Sequence, residues 1–81
     1  MNREDLKSAV LEELSDIAPD IDTNRIDEAV HLRDEYDLDS MDAMNLLMAL
    51  HKRLKINIPE QEYARMRSLG ELLDYLAQQS G

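Results

Sequence analysis

The sequence predicts an all-α protein: a small four-helix bundle of three main helices and one short helix, with a long first loop. Apolar residues recur at the three- and four-residue spacing of a helix in three separate segments. Each of these segments begins near a residue that can cap a helix, and no segment reads as a strand of consequence. The 81 residues suffice for one domain, so residues 1–81 are expected to fold as a single unit.

The first helix is predicted from about Arg3 to Ile17. Its apolar positions form one stripe: Leu6, Val10, Leu14 and Ile17. Asn2 can cap its N-terminus, and Pro19 ends it because the residue before a proline disfavours the helical conformation.

Residues 19–38 have no clear period and predict a long loop. Five apolar residues recur often enough to hold this loop against the core: Ile21, Ile26, Val30, Leu32 and Leu38. A short helical turn can form at about Arg25 to Val30.

The second main helix is the best defined. Asp39 can cap it, with Asp42 three residues later in an arrangement like a capping box. Its broad apolar face runs to about Leu54 and contains Met41, Met44, Leu47, Met48, Leu50 and Leu54.

A brief extended connection at residues 56–58 precedes Pro59, which can open a short helix through about Met66. Ser68 and Glu71 then form a capping box that starts the last helix, which is predicted to reach about residue 79. Its core side is lined by Leu69, Leu72, Leu73 and Leu76.

Charge limits the classes of partner. Eighteen acidic and nine basic residues give a net charge of −9, and residues 1–40 hold thirteen of the acids but only four of the bases. Such a field repels nucleic acid and anionic membranes and favours basic protein surfaces. The alternative is that acidity only keeps a small protein soluble.

The absence of cysteine fits a reducing, cytoplasmic setting, and any thiol chemistry must come from an attached group. The apolar runs are too short to cross a membrane, and the polar N-terminus predicts no targeting peptide. A monomer is expected, because the apolar stripes are about what one bundle consumes.

No metal site is predicted. Asp20, Asp22 and Asn24 match the opening of a calcium-binding EF-hand loop, but its sixth position is Arg25 instead of glycine and its twelfth is His31 instead of glutamate. Nor is the chain expected to be an enzyme. No nucleophile elbow surrounds Ser40, and the two histidines, His31 and His51, are expected at the surface.

Ser40 lies where a loop becomes a helix, directly behind the capping Asp39. Its hydroxyl should be exposed and near the unpaired N–H groups of the first turn, where a phosphate is well accommodated. Ser40 is therefore a physically sensible site for a phosphodiester. From local chemistry alone the other interpretation is that Asp39 and Ser40 merely cap the helix.

The segment LDSMD at residues 38–42 resembles the D-S-L or D-S-M attachment motif of acyl carrier proteins. LLMAL at residues 46–50 resembles the second helix of that family, and INIPE at residues 56–60 resembles its I-x-I-P turn. SLGEL at residues 68–72 and DYL at residues 74–76 resemble its last helix. The resemblance covers essentially the whole chain, in order and with the expected spacing.

This resemblance implies that a phosphopantetheinyl transferase, using magnesium, moves 4′-phosphopantetheine from coenzyme A to Ser40. The terminal thiol would carry an acyl group as a thioester, and acyl-loading and acyl-transfer enzymes would act on it. Asp39 would help to position the transferase chemistry, and Met41 would contact partners or the cofactor. The protein itself would catalyse nothing.

Four methionines, Met41, Met44, Met48 and Met66, could line the space between the second and third helices and open for an apolar chain. The alternative is an ordinary core filled with methionine.

The chain departs from the family pattern at two places. Asp37 replaces the glycine of the common D-L-G-x-D-S, and aspartate is among the better residues in a left-handed turn. The second helix lacks the usual glutamates. Its predicted partner-binding residues are Asp42, Asn45, Met48, His51, Lys52 and Arg53.

From residue 41 to residue 54 the formal charge is +1. Because like charges penalise the wrong partner, this predicts a dedicated pathway, such as lipid modification, a polyketide or an aminoacyl cargo, over the general fatty-acid enzymes. Two alternatives stay open: a peptidyl or aminoacyl carrier of a nonribosomal pathway, and an unmodified helical adaptor.

Overall fold

The computed structural model describes residues 2–80, and within them it is helical, without a β-strand. The α-helices are α1 (Arg3–Ile17), α2 (Leu32–Tyr36), α3 (Ser40–Leu54) and α4 (Leu69–Ser80). Two short 3₁₀ segments, Thr23–Arg25 and Glu60–Arg65, lie in the connections. The predicted fold class, three main helices with a long loop after the first, is confirmed. None of the helices in residues 2–80 combines the length and apolarity that crossing a membrane requires.

The core lies where α1 packs against both α3 and α4. Its largest fully buried side chains are Leu6, Val10, Leu14, Leu50, Leu69, Leu72, Leu73 and Leu76. These are the positions that the helical spacing of the sequence assigned to the core. Each fully buried leucine contributes about 1.5–3 kcal/mol of transfer free energy, so this leucine-rich contact stabilises the frame that carries the connections.

The predicted helix starts are confirmed by their hydrogen bonds. The Asn2 side chain accepts from the Asp5 amide at 2.8 Å, which caps α1. At the start of α4 the Ser68 amide donates to Glu71 Oε1 at 3.2 Å, and the Glu71 amide donates to Ser68 Oγ at 3.1 Å. This reciprocal pair is a capping box.

No helix spans residues 25–30, and the chain makes only a hydrogen-bonded turn there, closed by the Val30 amide and the Asp27 carbonyl. The first loop instead has a 3₁₀ turn that ends at Arg25, and the α2 helix begins only at Leu32. The amides that an α-helical turn would use there are bonded elsewhere: the Ala29 amide donates to Asp27 Oδ1 at 2.9 Å, and the Val30 amide donates to the Asp27 carbonyl at 3.4 Å. Two further backbone bonds hold the loop to the segment around the start of α4: the Gly70 amide donates to the Glu28 carbonyl at 3.0 Å, and the Leu32 amide donates to the Arg67 carbonyl at 2.8 Å.

The short helix expected from Pro59 to Met66 is present as the 3₁₀ segment Glu60–Arg65, with Pro59 as its N-cap residue and not its first helical residue. The extended connection before it is confirmed, with Ile56 and Ile58 buried. The Tyr75 hydroxyl donates to the carbonyl of Asn57 at 3.2 Å and so ties this connection to α4.

Ion pairs link α1 to its neighbours. Arg3 lies 2.8 Å from Glu28 and 2.6 Å from Asp74, and Lys7 lies 3.1 Å from Glu28. Hydrogen bonds, first from Arg3 and then from Lys7, lower the pKa of Glu28 below its usual value. Because folding lowers this pKa, the ion pairs of Glu28 with Arg3 and Lys7 stabilise the fold at neutral pH. Their small contribution is lost as the pH falls through the pKa of Glu28.

Candidate functional site

Ser40 is the first residue of α3, and Asp39 is the N-cap in extended conformation. The Asp42 amide donates to Asp39 Oδ1 at 2.8 Å, and the Asp39 amide faces Asp42 Oδ2 at a longer 3.4 Å. The predicted reciprocal cap is therefore confirmed. Because it is built from two aspartates, it holds the start of α3 in place without using the serine.

The Ser40 side chain is exposed, and within residues 2–80 its hydroxyl has no hydrogen-bond partner. The interpretation in which Ser40 merely caps the helix does not hold for the serine, since Asp39 does the capping. The amides of Ser40 and Met41 also lack an acceptor in the described part of the chain, as expected for the first two helical positions. A negatively charged group on Ser40 Oγ would meet open N–H groups and the positive end of the helix dipole. These residues fit a phosphodiester.

Asp37 ends α2 in the left-handed conformation, with φ 56° and ψ 34°. This is the left-handed conformation that aspartate tolerates better than most residues other than glycine. The Asp37 amide donates to the carbonyl of Arg33, which closes the helix end and turns the chain toward Ser40.

Asp37→Gly is expected to raise the free energy of unfolding by about 0.5–1 kcal/mol, because a side chain in the left-handed region costs more than the chain entropy that glycine adds. Chemical unfolding measures the change. Lys55→Gly, at the other left-handed position (φ 58°), should act in the same direction, whereas Asp34→Gly inside α2 should lower stability. A less stable Asp37→Gly variant would contradict the argument.

A cavity of about 710 Å³ adjoins Ser40, which contributes to its lining. Its walls come from α2, α3, the 3₁₀ segment Glu60–Arg65 and the start of α4. The apolar part of the lining includes Leu38, Met44, Leu46, Leu47, Tyr63 and Met66. A cavity of this size and lining is in the range of small-ligand sites.

The prediction for the methionines is half right. Met44 and Met66 line the cavity, as expected. Met41 and Met48 point to solvent instead, with 58% and 45% of their surface exposed. The two lie seven residues apart on α3, which is two helical turns, on the side of the helix opposite the buried Leu50.

The predicted partner-binding residues have two kinds of surroundings. Asn45, Met48 and Lys52 are exposed on the same stripe of α3 as Met41, which we call the outer face. The other three also bond to other residues of the fold. Asp42 completes the cap, His51 Nδ1 lies 2.7 Å from the carbonyl oxygen of Ile56, and Arg53 pairs with Glu12 and Glu13 of α1.

Sequence reasoning did not single out two arginines of the cavity lining, Arg33 and Arg67. They are 34 residues apart and come together only because residues 28–32 pair with the start of α4.

In the acidic first loop, Asp22 accepts from the Asn24 amide and faces Arg25 at 3.5 Å. Across residues 2–80 no three acidic or histidine side chains are grouped to hold a metal ion.

Comparison with known proteins gives the class first: residues 8–76 match the family model of the phosphopantetheine attachment site. The acyl carrier protein of Chlamydia caviae is 26% identical over 78 residues, covering 96% of this chain and 95% of the relative. That of Clostridium acetobutylicum is 31% identical over 70 residues, covering 83% and 91%. A solved structure of acyl carrier protein from Enterococcus faecalis has the same fold, with a TM-score of 0.84, 21% identity and coverage of 99% and 100%.

The chain therefore belongs to the acyl carrier protein family, whose members are carriers and not enzymes. The prosthetic group of this family is phosphopantetheine.

Proposed function

We propose that this chain, as a single carrier domain, holds 4′-phosphopantetheine on Ser40 and carries an acyl group for partner enzymes. The observation that carries the proposal is the exposed, unbonded hydroxyl of Ser40 beside open amides at the start of α3. It lies within the segment that matches the attachment-site family. We place the protein in the cytoplasm, which fits a chain without cysteine.

Each residue of the site has a separate task. Ser40 Oγ holds the phosphate ester, and the amides of Ser40 and Met41 favour its negative charge. Asp39 and Asp42 keep the helix end ordered, so the hydroxyl is presented at a fixed position to the phosphopantetheinyl transferase. When bound, the prosthetic group supplies the thiol that this cysteine-free chain lacks, and the acyl group is carried there as a thioester. The cavity beside Ser40 shields the apolar part of the cargo.

The test is the intact mass after incubation with coenzyme A, magnesium and a broad-specificity phosphopantetheinyl transferase. The expected result is a gain of one phosphopantetheine, which peptide mapping places on residue 40 and not on Ser8, Ser15, Ser68 or Ser80. An unmodified chain, with a known carrier modified in parallel, would overturn the proposal and favour the unmodified adaptor.

Partners are proposed to be acyl-loading and acyl-transfer enzymes of a dedicated pathway, because the outer face of α3 carries no carboxylate. Asn45→Glu with Lys52→Glu tests this on side chains that have no partner within residues 2–80. The charge of residues 41–54 falls by three units. We expect the rate of malonyl transfer by a general fatty-acid-synthase transferase to rise about tenfold at low salt.

The control for this charge change is Gln78→Glu with Gln79→Glu, which adds two negative charges at exposed positions of α4 instead of α3. It should leave the malonyl-transfer rate unchanged. If the α3 variant is no faster than the unsubstituted chain, the charge of the outer face is not the barrier to the general enzymes. Arg53 is left intact, because its pairs with α1 would make a change there a test of stability.

A further inference from the structure

The six arginines of the chain sort into two groups by their ion pairs. Four of them lie within 4 Å of a carboxylate: Arg3, Arg25, Arg53 and Arg65. Arg33 and Arg67 have no carboxylate partner within residues 2–80, although the chain has twice as many acidic as basic residues. These two are also the two arginines that line the cavity beside Ser40.

Both guanidinium groups are anchored at one nitrogen only. Arg33 Nε donates to the Leu38 carbonyl at 3.4 Å, and Arg67 Nε donates to the Ala64 carbonyl at 2.9 Å. Each anchor restricts the direction of its guanidinium and leaves the terminal N–H₂ groups unbonded in the described residues. A planar fork of this kind matches a carboxylate, which it can bind through two parallel hydrogen bonds.

The same lining contains two carboxylates. The Asp34 carboxylate lies 3.6 Å from His31 Nδ1, and the Glu60 carboxylate has no hydrogen-bond or ion-pair partner in residues 2–80. Neither lies within ion-pairing distance of the two guanidinium groups. The lining of the cavity therefore combines two guanidinium groups without a carboxylate partner with apolar leucine, methionine and tyrosine side chains.

From this arrangement we infer that the cavity holds an acyl cargo whose far end bears a carboxylate, such as the half-thioester of a dicarboxylic acid. The apolar stem would lie against Met44, Met66 and Tyr63, and the carboxylate would meet Arg33 and Arg67. The inference rests on the proposed attachment to Ser40. Tethering there supplies the anion at an effective concentration in the millimolar range, which offsets the repulsion of a chain with a net charge of −9.

The test loads the protein with hexanoyl- or hexanedioyl-phosphopantetheine from the corresponding coenzyme A thioesters, and intact mass verifies each product. Hydroxylamine then cleaves the thioester. Each release rate is divided by the rate for the corresponding coenzyme A thioester. We then expect the hexanedioyl cargo to be released about fivefold more slowly than the hexanoyl cargo. A ratio of about fivefold corresponds to one favourable charge pair at a partly exposed site. The arginine Nε signals of Arg33 and Arg67 in the NMR spectrum should shift with hexanedioyl cargo only.

Arg33→Met with Arg67→Met removes the charges and should abolish the difference between the cargoes. Arg25→Met with Arg65→Met is the matched control outside the cavity lining and should preserve it. Equal release rates on the correctly loaded protein would overturn this inference alone. The inference would also be overturned if unacylated phosphopantetheine alone shifted the Nε signals fully, because the guanidinium groups would then bind its phosphate. A chain that gains no mass would overturn the proposed attachment as well.

Discussion

Ser40→Ala is expected to abolish the gain of phosphopantetheine completely while leaving the fold intact. The loss is complete because alanine has no oxygen on which a phosphate ester can form. The fold is retained because the Ser40 hydroxyl makes no hydrogen bond within residues 2–80 and Asp39 caps α3 without it. We expect the free energy of unfolding to change by no more than about 0.5 kcal/mol, as for ordinary surface substitutions. Intact mass and chemical unfolding measure the two effects.

Ser15→Ala is the matched control for this substitution, since Ser15 is also exposed but lies within α1. It should be modified as fully as the unsubstituted chain. Modification that survives in Ser40→Ala would place the prosthetic group elsewhere. A Ser40→Ala protein that is unmodified but also unfolded would show that the hydroxyl has a structural role that its surroundings do not indicate.

The parts of the fold that the sequence predicts well are those set by neighbouring residues. The α1 helix spans Arg3–Ile17, as its apolar spacing, the capping Asn2 and the following Pro19 predict. The first loop is different, because its conformation depends on residues far along the chain. The bonds from Gly70 to Glu28 and from Leu32 to Arg67 cross about 40 residues. No local pattern within residues 19–38 contains them, so the sequence does not predict the α2 helix that begins at Leu32.

In the candidate site, too, the sequence predicts the parts that neighbouring residues set and not the parts that distant residues assemble. Ser40 and the Asp39 cap are signalled by three adjacent residues, so the sequence alone predicts them. The cavity is assembled from segments that are distant in sequence, and Arg33 and Arg67 could not be identified without it. Helical spacing does not separate Met44 from Met48, because residues four apart lie on one face of a helix. Met44 is half-buried beside the cavity and Met48 is 45% exposed, so the difference is set by the distant segments that assemble the cavity around Met44.

Leu50→Ala is expected to have the largest effect on stability of any single truncation in α3. Leu50 has no exposed surface and lies on the side of α3 that packs toward the core. Removing a buried leucine side chain costs about 2–5 kcal/mol, since the transfer free energy is lost and a cavity remains. A domain of this size has on the order of 4–12 kcal/mol in all. The midpoint of chemical unfolding should fall sharply.

Met48→Ala, two residues earlier on the same helix, is the control that makes this result specific to burial. Met48 is 45% exposed, and alanine favours the helix at least as well, so we expect a loss of stability below about 1 kcal/mol.

The contrast between the two variants also bears on function. Because α3 places Ser40 at its first residue, Leu50→Ala should slow modification by lowering the folded population, whereas Met48→Ala should alter only encounters with enzymes that touch the outer face. Equal losses of stability in the two variants would contradict the assignment of the buried and outer faces of α3.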